Sequence, residues 1–214
     1  MKYEKRVELP LRIPSPAVSV VEFHFELVHR TEHADVLACL FHPVPVPGWR
    51  SYKGSTRLID LNSDLDKIFA GFSKSTRYEI NRASKRDGVE TSLSPTPTDI
   101  ELEDFMNYYD EFAATKGVPR ICRAQLQALA SAKKLALSVA RGVEGSDLAA
   151  HAYLVSHGRA RLTHRLRCSG WRKTPRPART GRANRLLHWN DLTAFRSMGA
   201  VWYDFRGLVP WLPQ

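Results

Sequence analysis

Cysteine, acidic residues and long apolar runs are all in short supply in this 214-residue sequence. The three cysteines, Cys39, Cys122 and Cys168, are odd in number and far apart, which excludes a disulfide framework and a cysteine-rich zinc knuckle. A reducing, cytoplasmic location is the expectation. No stretch approaches the roughly 18 apolar residues needed to cross a bilayer, so no membrane insertion is expected. The opening "MKYEKRVELPLRIPSP" has neither a continuous apolar core nor a small-residue cleavage site, which argues against a signal peptide. There is no G-x-x-x-x-G-K-[ST], no Rossmann glycine pattern after a strand and no H-E-x-x-H; nucleoside-triphosphatase, dinucleotide and zinc-hydrolase chemistry therefore lack their motifs, and no metal is expected.

What is present is a globular composition, 43% hydrophobic and 25% charged, with 32 Lys and Arg against 22 Asp and Glu. The net charge of +10 favours anionic partners: nucleic acid, cofactor phosphates or nucleotide-linked substrates. The length fits a single domain over 1–214 whose first 55 residues form a strand-rich part. Leu65, Ile68, Phe69, Phe72, Thr76, Ile80 and Ala83 recur at helical steps, with Gly71 and Ser73 dividing the segment in two and Ser63 or Asp64 as cap. Further helices are predicted over "PTDIELEDFMNYYDEFAATKG" and "RAQLQALASAKK". From Leu135 the period becomes two, and "LALSVAR", "LAAHAYLVS" and "RARLTHRLRC" read as an antiparallel meander. Strict alternation in its last strand puts Arg159, Arg161, Thr163, Arg165 and Arg167 on one face, with Ala160, Leu162, His164, Leu166 and Cys168 on the other. A basic loop, a helix through "ANRLLHWNDLTAFRSMG" and the strand "AVWYDFRG" complete an α/β (α+β) order: a mixed, mostly antiparallel sheet flanked by helices.

Between Arg159 and Arg185 there are ten Lys or Arg residues and no acid. This charge meets a Gly-containing loop entering a helix, where free backbone N–H groups and the positive dipole end hold phosphates. Arg176, Arg179 and Arg182, around Gly181, are the candidate ligands for a pyrophosphate or a tRNA backbone.

Two segments resemble the FemAB-like branch of the GNAT-fold acyltransferases. "STRLIDLNSDLDKIFAGFSKSTRYEINRASKRDGVE" is similar to its early strand, its "R-x-x-I-x-x-A" helix (Arg77, Ile80, Ala83) and its Gly-Val strand. "GRANRLLHWNDLTAFRSMGAVWYDFRG" is similar to its "A-N-x-L-x-W" helix and "Y-D-F-G-G" strand, with Arg206 where glycine is usual. The resemblance spans roughly Thr56 to Gly207. It implies a GNAT-like sheet whose central strands splay, with acyl donor and amine acceptor on either side. It also implies acetyl-CoA or another acyl-CoA as co-substrate, bound at a loop resembling [QR]-x-x-G-x-[GA]. Here that loop is "ARTGRA", with Gly181 and Ala183 matching, Ala178 in the Gln/Arg place, and Asn184 as a cap or loop anchor. Aminoacyl-tRNA is the alternative donor, and a non-enzymatic nucleic-acid-binding domain is the rival reading of the basic segment, although it carries no RNP, KH or zinc-finger pattern.

Amide formation needs a neutral amine, a held donor and stabilisation of the tetrahedral oxyanion. The candidate proton acceptors or positioning groups are His151, Tyr153 and His164 on the meander and Tyr203 and Asp204 on the last strand; His151 and Tyr153 share a strand face. Asp204 is read either in that role or as a residue that orders the sheet or holds substrate. Asn184, His188 and Asp191 have spacings that bring them near one helix face. The acceptor is a small-molecule amine, an amino sugar or a peptide amine. An unfinished sheet edge after Gly207 is a reason to expect a homodimer.

Overall fold

Two sheets, one small and one large, organise the computed structural model, which describes residues 11–13, 20–25, 34–41, 44–51, 54–167 and 177–206. The small sheet holds β1 (Leu11–Ile13), β2 (Val20–His24) and β3 (Val36–Leu40), with β2 central, antiparallel to β1 and parallel to β3. The large sheet has six strands: β4 (Leu58–Asp60), β5 (Glu90–Ser94), β6 (Leu135–Arg141), β7 (Asp147–Ser156), β8 (Arg159–Arg167) and β9 (Trp202–Asp204). Their order is β4-β9-β8-β7-β6-β5, antiparallel except at β8–β9.

The helices form where the spacing predicts them. The first amphipathic segment divides at Gly71 into α1 (Leu65–Ala70) and α2 (Lys74–Lys85), because Asp64 and Ser73 each cap a new start by accepting backbone N–H groups. The long helix α3 (Asp99–Lys116) opens on a capping box in which Thr98 and Glu101 satisfy each other's backbone N–H. It closes at Gly117, whose φ of 63° is the left-handed conformation that glycine adopts at least cost. The helix α4 (Arg123–Ser131) follows. The last helix, α5 (Pro177–Ser197), begins about a turn and a half before the predicted "ANRLLHW" start, since proline suits a first helical turn, where its missing N–H leaves nothing unsatisfied.

Helices cover both faces of the large sheet. Alternation sends Leu135, Leu137, Ala150, Ala152 and Leu154 toward α3 and α4, where they meet Leu102, Phe105, Met106, Leu126 and Leu129. The opposite parity sends Ala136, Ala140, Ala149 and Tyr153 toward α5 and α2, against Leu187, Leu192, Phe195, Ile80 and Ala83.

Strict alternation fails in β8. Its register against β7 slips by one: Ala152 faces His164, but Tyr153 faces Leu162, leaving Thr163 as the extra residue of a bulge. The Thr163 hydroxyl donates to the Ala152 carbonyl at 2.9 Å. Ala160 and Leu162 therefore pack on the α5 side, whereas Leu166 packs among the α3 and α4 residues. The predicted single cationic face is split: Arg161 lies with Leu154 on the α3 side, and Arg165, opposite His151, lies on the α5 side.

Arg159 and Arg161 converge on Asp204, which is fully buried. Arg161 Nη1 donates to it at 2.5 Å, Arg159 Nη2 at 2.9 Å and the Arg206 backbone N–H at 2.9 Å, and the Thr56 hydroxyl adds a further donor. The same guanidinium groups stack on the small sheet's end, Arg161 over Phe41 and Arg159 over Phe25. Asp204 thus neutralises two arginines and joins β4, β8, β9 and the small sheet. Replacing Asp204 by alanine leaves the buried Arg161 and the partly exposed Arg159 without a counter-charge and is expected to cost about 3–5 kcal/mol in a urea or guanidinium unfolding measurement. A loss below about 1 kcal/mol would contradict this framework role.

Candidate active site

On the other face of the same strands, α5 presents a polar stripe to the sheet. Asn184, His188 and Asp191 lie at i, i+4 and i+7 of one helix, so their side chains reach the same neighbours. Facing them, alternation brings up Ser138 from β6 and His151 and Tyr153 from β7, and Tyr203 arrives from β9.

Asp191 is the hub. Its Oδ2 accepts from the Ser138 hydroxyl at 2.8 Å, from the Tyr153 hydroxyl at 2.7 Å and from His151 Nδ1 at 2.9 Å. His151 Nε2 lies 3.1 Å from Asn184 Oδ1, so both of its ring nitrogens face oxygen atoms. Tyr153 and Tyr203 hydroxyls are 2.7 Å apart, and Tyr203 lies 2.7 Å from His188 Nδ1. Ser138, His151, Tyr153, Asn184, Asp191 and Tyr203 are buried; His188 alone of the set is only partly buried and is the member nearest solvent.

The electrostatics follow from that burial. Tyr153 and Tyr203 are pushed well above the usual phenol range, first by burial and then by the Asp191 charge, and remain protonated donors. Burial pushes His188 well below the ordinary imidazole range, and electrostatic interaction with His151, Arg165 and Arg185 pushes the same way. His188 is therefore neutral at pH 7, with a lone pair available on one nitrogen. Its ring lies tilted against that of His151 at a centroid distance of 4.2 Å and meets Phe205 at 5.1 Å.

This network lies beside a break in the sheet. β9 pairs with β8 only over Arg159–Arg161; beyond that, no strand among the described residues occupies the outer edge of β8, where Arg206 donates to the Thr163 carbonyl.

The predicted candidates thus separate. His151, Tyr153, Tyr203 and Asn184 are brought together, whereas Asp204 is held by its arginines on the opposite face, as adjacent strand residues must be. His164, displaced by the bulge, packs edge-on against Tyr109 of α3 with ring centroids 5.0 Å apart, away from the network. Asp191, His188 and Ser138 are the members absent from the primary candidates; the i, i+4, i+7 spacing was the available signal for the first two.

The anion-loop residues take other partners. Gly181 lies in the second turn of α5, and Ala183 is fully buried against α2. Arg179 is clamped by Glu144 at 3.0 and 3.2 Å and donates to the Asp87 carbonyl, while Arg182 Nε meets Asp87 at 2.6 Å. Arg176 and Cys168 lie outside the described residues. No group of three or more His, Cys, Asp or Glu residues placed to hold a metal ion occurs among the described residues, and no described helix is long and apolar enough to cross a membrane.

No protein-family model matches the chain, and no curated protein is significantly similar to it in sequence. Solved structures are similar in fold. FemX superposes with a TM-score of 0.58 at 11% identity, covering 76% of this chain and 56% of FemX. The C-terminal domain assigned to a lysylphosphatidylglycerol synthetase from Agrobacterium fabrum gives 0.52 at 15%, covering 72% of this chain and 46% of that one. A conserved protein from Bacteroides thetaiotaomicron gives 0.50 at 13%, covering 72% and 50%. The chain spans about half the length of these structures. The fold is similar to that of FemX: a six-stranded, mostly antiparallel sheet flanked by helices.

His164 offers a check on the electrostatics. Burial, aided by Arg206, lowers it from 6.5 to about 4, so the folded protein holds it neutral while the unfolded chain takes up a proton below pH 6.5. Its contribution to stability is complete above pH 6.5 and is lost as pH falls toward 4, by roughly 3 kcal/mol at most. Urea midpoints measured at pH 7 and pH 4.5 are expected to differ less in His164→Gln than in the parent; equal losses would contradict the assignment.

Proposed function

We propose that this chain is an acyltransferase that moves an acyl group from an activated donor onto a primary amine at the open edge of β8. The observation that carries the reading is the buried network ending in a neutral, partly buried His188 beside that edge, within an acyltransferase-type fold. The amine nitrogen attacks the donor carbonyl carbon; the C–N bond forms and the carbonyl π pair moves to oxygen. Backbone N–H groups on the free edge of β8 are the donors suited to that oxyanion. The nitrogen's proton passes to His188, and collapse of the intermediate breaks the C–S bond of a thioester, or the C–O bond of an ester, with the proton returned to the leaving group. His188 is the catalytic base in this scheme; His151, Tyr153, Tyr203 and Asn184 hold it through the network.

Acetyl-CoA or another acyl-CoA is the donor, with its pyrophosphate near Arg179 and Arg182 at the start of α5. A second reading, an aminoacyl ester of tRNA, is favoured by one specific observation: Glu144 and Asp87 already engage Arg179 and Arg182, which leaves less free charge for a compact pyrophosphate. A structural neighbour named for lysylphosphatidylglycerol synthesis supports the same direction. The acceptor is an amine of a small molecule, amino sugar or peptide.

Calorimetric titration with acetyl-CoA and with charged tRNA, followed by transfer assays with labelled donor and amine acceptors, tests the scheme. One donor is expected to bind at a single saturable site, and His188→Gln is expected to lower kcat by about 100-fold or more while leaving donor KM nearly unchanged. Binding of neither donor, or transfer indifferent to His188→Gln, would overturn it.

A further inference from the structure

The hydrogen bonds joining Asp191 to His188 have a fixed direction, and that direction decides which nitrogen of His188 holds the proton. A carboxylate only accepts, so the Tyr153 hydroxyl, 2.7 Å from Asp191 Oδ2, spends its proton there. The Tyr153 oxygen is then an acceptor, and the Tyr203 hydroxyl, 2.7 Å away, spends its own proton on Tyr153. The Tyr203 oxygen is in turn an acceptor, which makes the facing His188 Nδ1, also at 2.7 Å, the donor. A neutral imidazole has one proton; with it on Nδ1, the lone pair is on Nε2, which has no hydrogen-bond partner among the described residues.

We propose that Asp191, acting through Tyr153 and Tyr203, is a positioning residue that locks His188 in its Nδ1–H tautomer and so makes Nε2 the proton acceptor of this site. The proposal deepens the acyl-transfer reading and rests on it for the identity of the proton received, but the lock itself is a property of the resting protein. Three hydroxyl and imidazole donors meet at one buried oxygen of Asp191, so the polarity of the chain is set at its buried end. The alternative direction would aim the Tyr203 proton at His188 Nδ1 and place the His188 proton on Nε2, presenting the acceptor amine with a donor instead of a base. The charged and titratable groups that act on His188 are His151 of β7, Arg165 of β8, Tyr203 of β9 and Arg185 of α5. None of the neighbouring side chains offers Nδ1 a carboxylate of its own among the described residues.

The test is long-range proton–nitrogen NMR of the uniformly nitrogen-15-labelled full chain at pH 7, which separates protonated from bare imidazole nitrogens. In the parent protein, His188 is expected to show a protonated Nδ1 and a bare Nε2. In Tyr203→Phe, which cuts the chain while keeping the ring, the two tautomers are expected to mix, moving the Nε2 resonance toward the protonated range. In Asp191→Asn, whose amide donates to the Tyr153 oxygen, the whole chain reverses and the proton is expected on Nε2, in the manner of a catalytic triad whose aspartate has become asparagine. Should Asp191→Asn fail to fold, the parent and Tyr203→Phe spectra decide alone. An Nε2–H or fully protonated His188 in the parent, or a tautomer indifferent to Tyr203→Phe, would overturn the lock. Neither result depends on a donor or an acceptor, so failure of the lock is read separately from failure of acyl transfer in the binding and turnover assays.

Discussion

One carboxylate oxygen, Oδ2 of Asp191, accepts hydrogen bonds from a serine on β6 and from a histidine and a tyrosine on β7, and the rest of the site depends on it. A carboxylate buried to this depth is stable only when its charge is met by donors on every side, because its desolvation costs several kcal/mol. Asn184 then reaches His151, and His188 reaches Tyr203. The chemistry proposed for the site is a consequence of how that one charge is satisfied.

A second buried carboxylate, Asp204, sits one residue from Tyr203, and the two divide the labour of a three-residue strand. Tyr203 points to the network beneath α5, while Asp204 points to the opposite face and gathers Arg159, Arg161, Thr56 and the Arg206 backbone. The arginines in turn stack on Phe25 and Phe41 of the small sheet. β9 is therefore positioned from one side by ion pairs and from the other by hydroxyl contacts, and among the described residues its pairing with β8 ends at Arg161 and Asp204.

The helices and the meander were legible in the sequence because each rests on a local period. Gly71 and Ser73 marked the break between α1 and α2, and Gly117 marked the end of α3. The shared face of His151 and Tyr153 and the helical spacing of Asn184, His188 and Asp191 pointed to two halves of the site. That the two halves meet is a tertiary fact with no local signature. The bulge at Thr163 was illegible for the same reason: a one-residue slip depends on what β7 offers across the ladder, and it moved His164 out of the site and split the arginine face. Arg179 and Arg182 stood out as unopposed charge along the chain, yet Glu144 and Asp87 from distant turns meet them. Sequence-local charge counts do not see such pairings.

A buried polar cluster retained for chemistry should be dispensable for folding, since well-packed apolar groups of similar volume usually replace such clusters at little cost or with a gain. The most direct test of this account is the thermal and denaturant stability of the combined variant Ser138→Ala, His151→Leu, Tyr153→Phe, Asp191→Leu, measured beside its binding and turnover of acyl donors. A midpoint equal to or above that of the parent, with transfer abolished, is the predicted result. An unfolded or strongly destabilised variant would show that the network is there to hold the fold and would contradict the claim that Asp191 organises an active site.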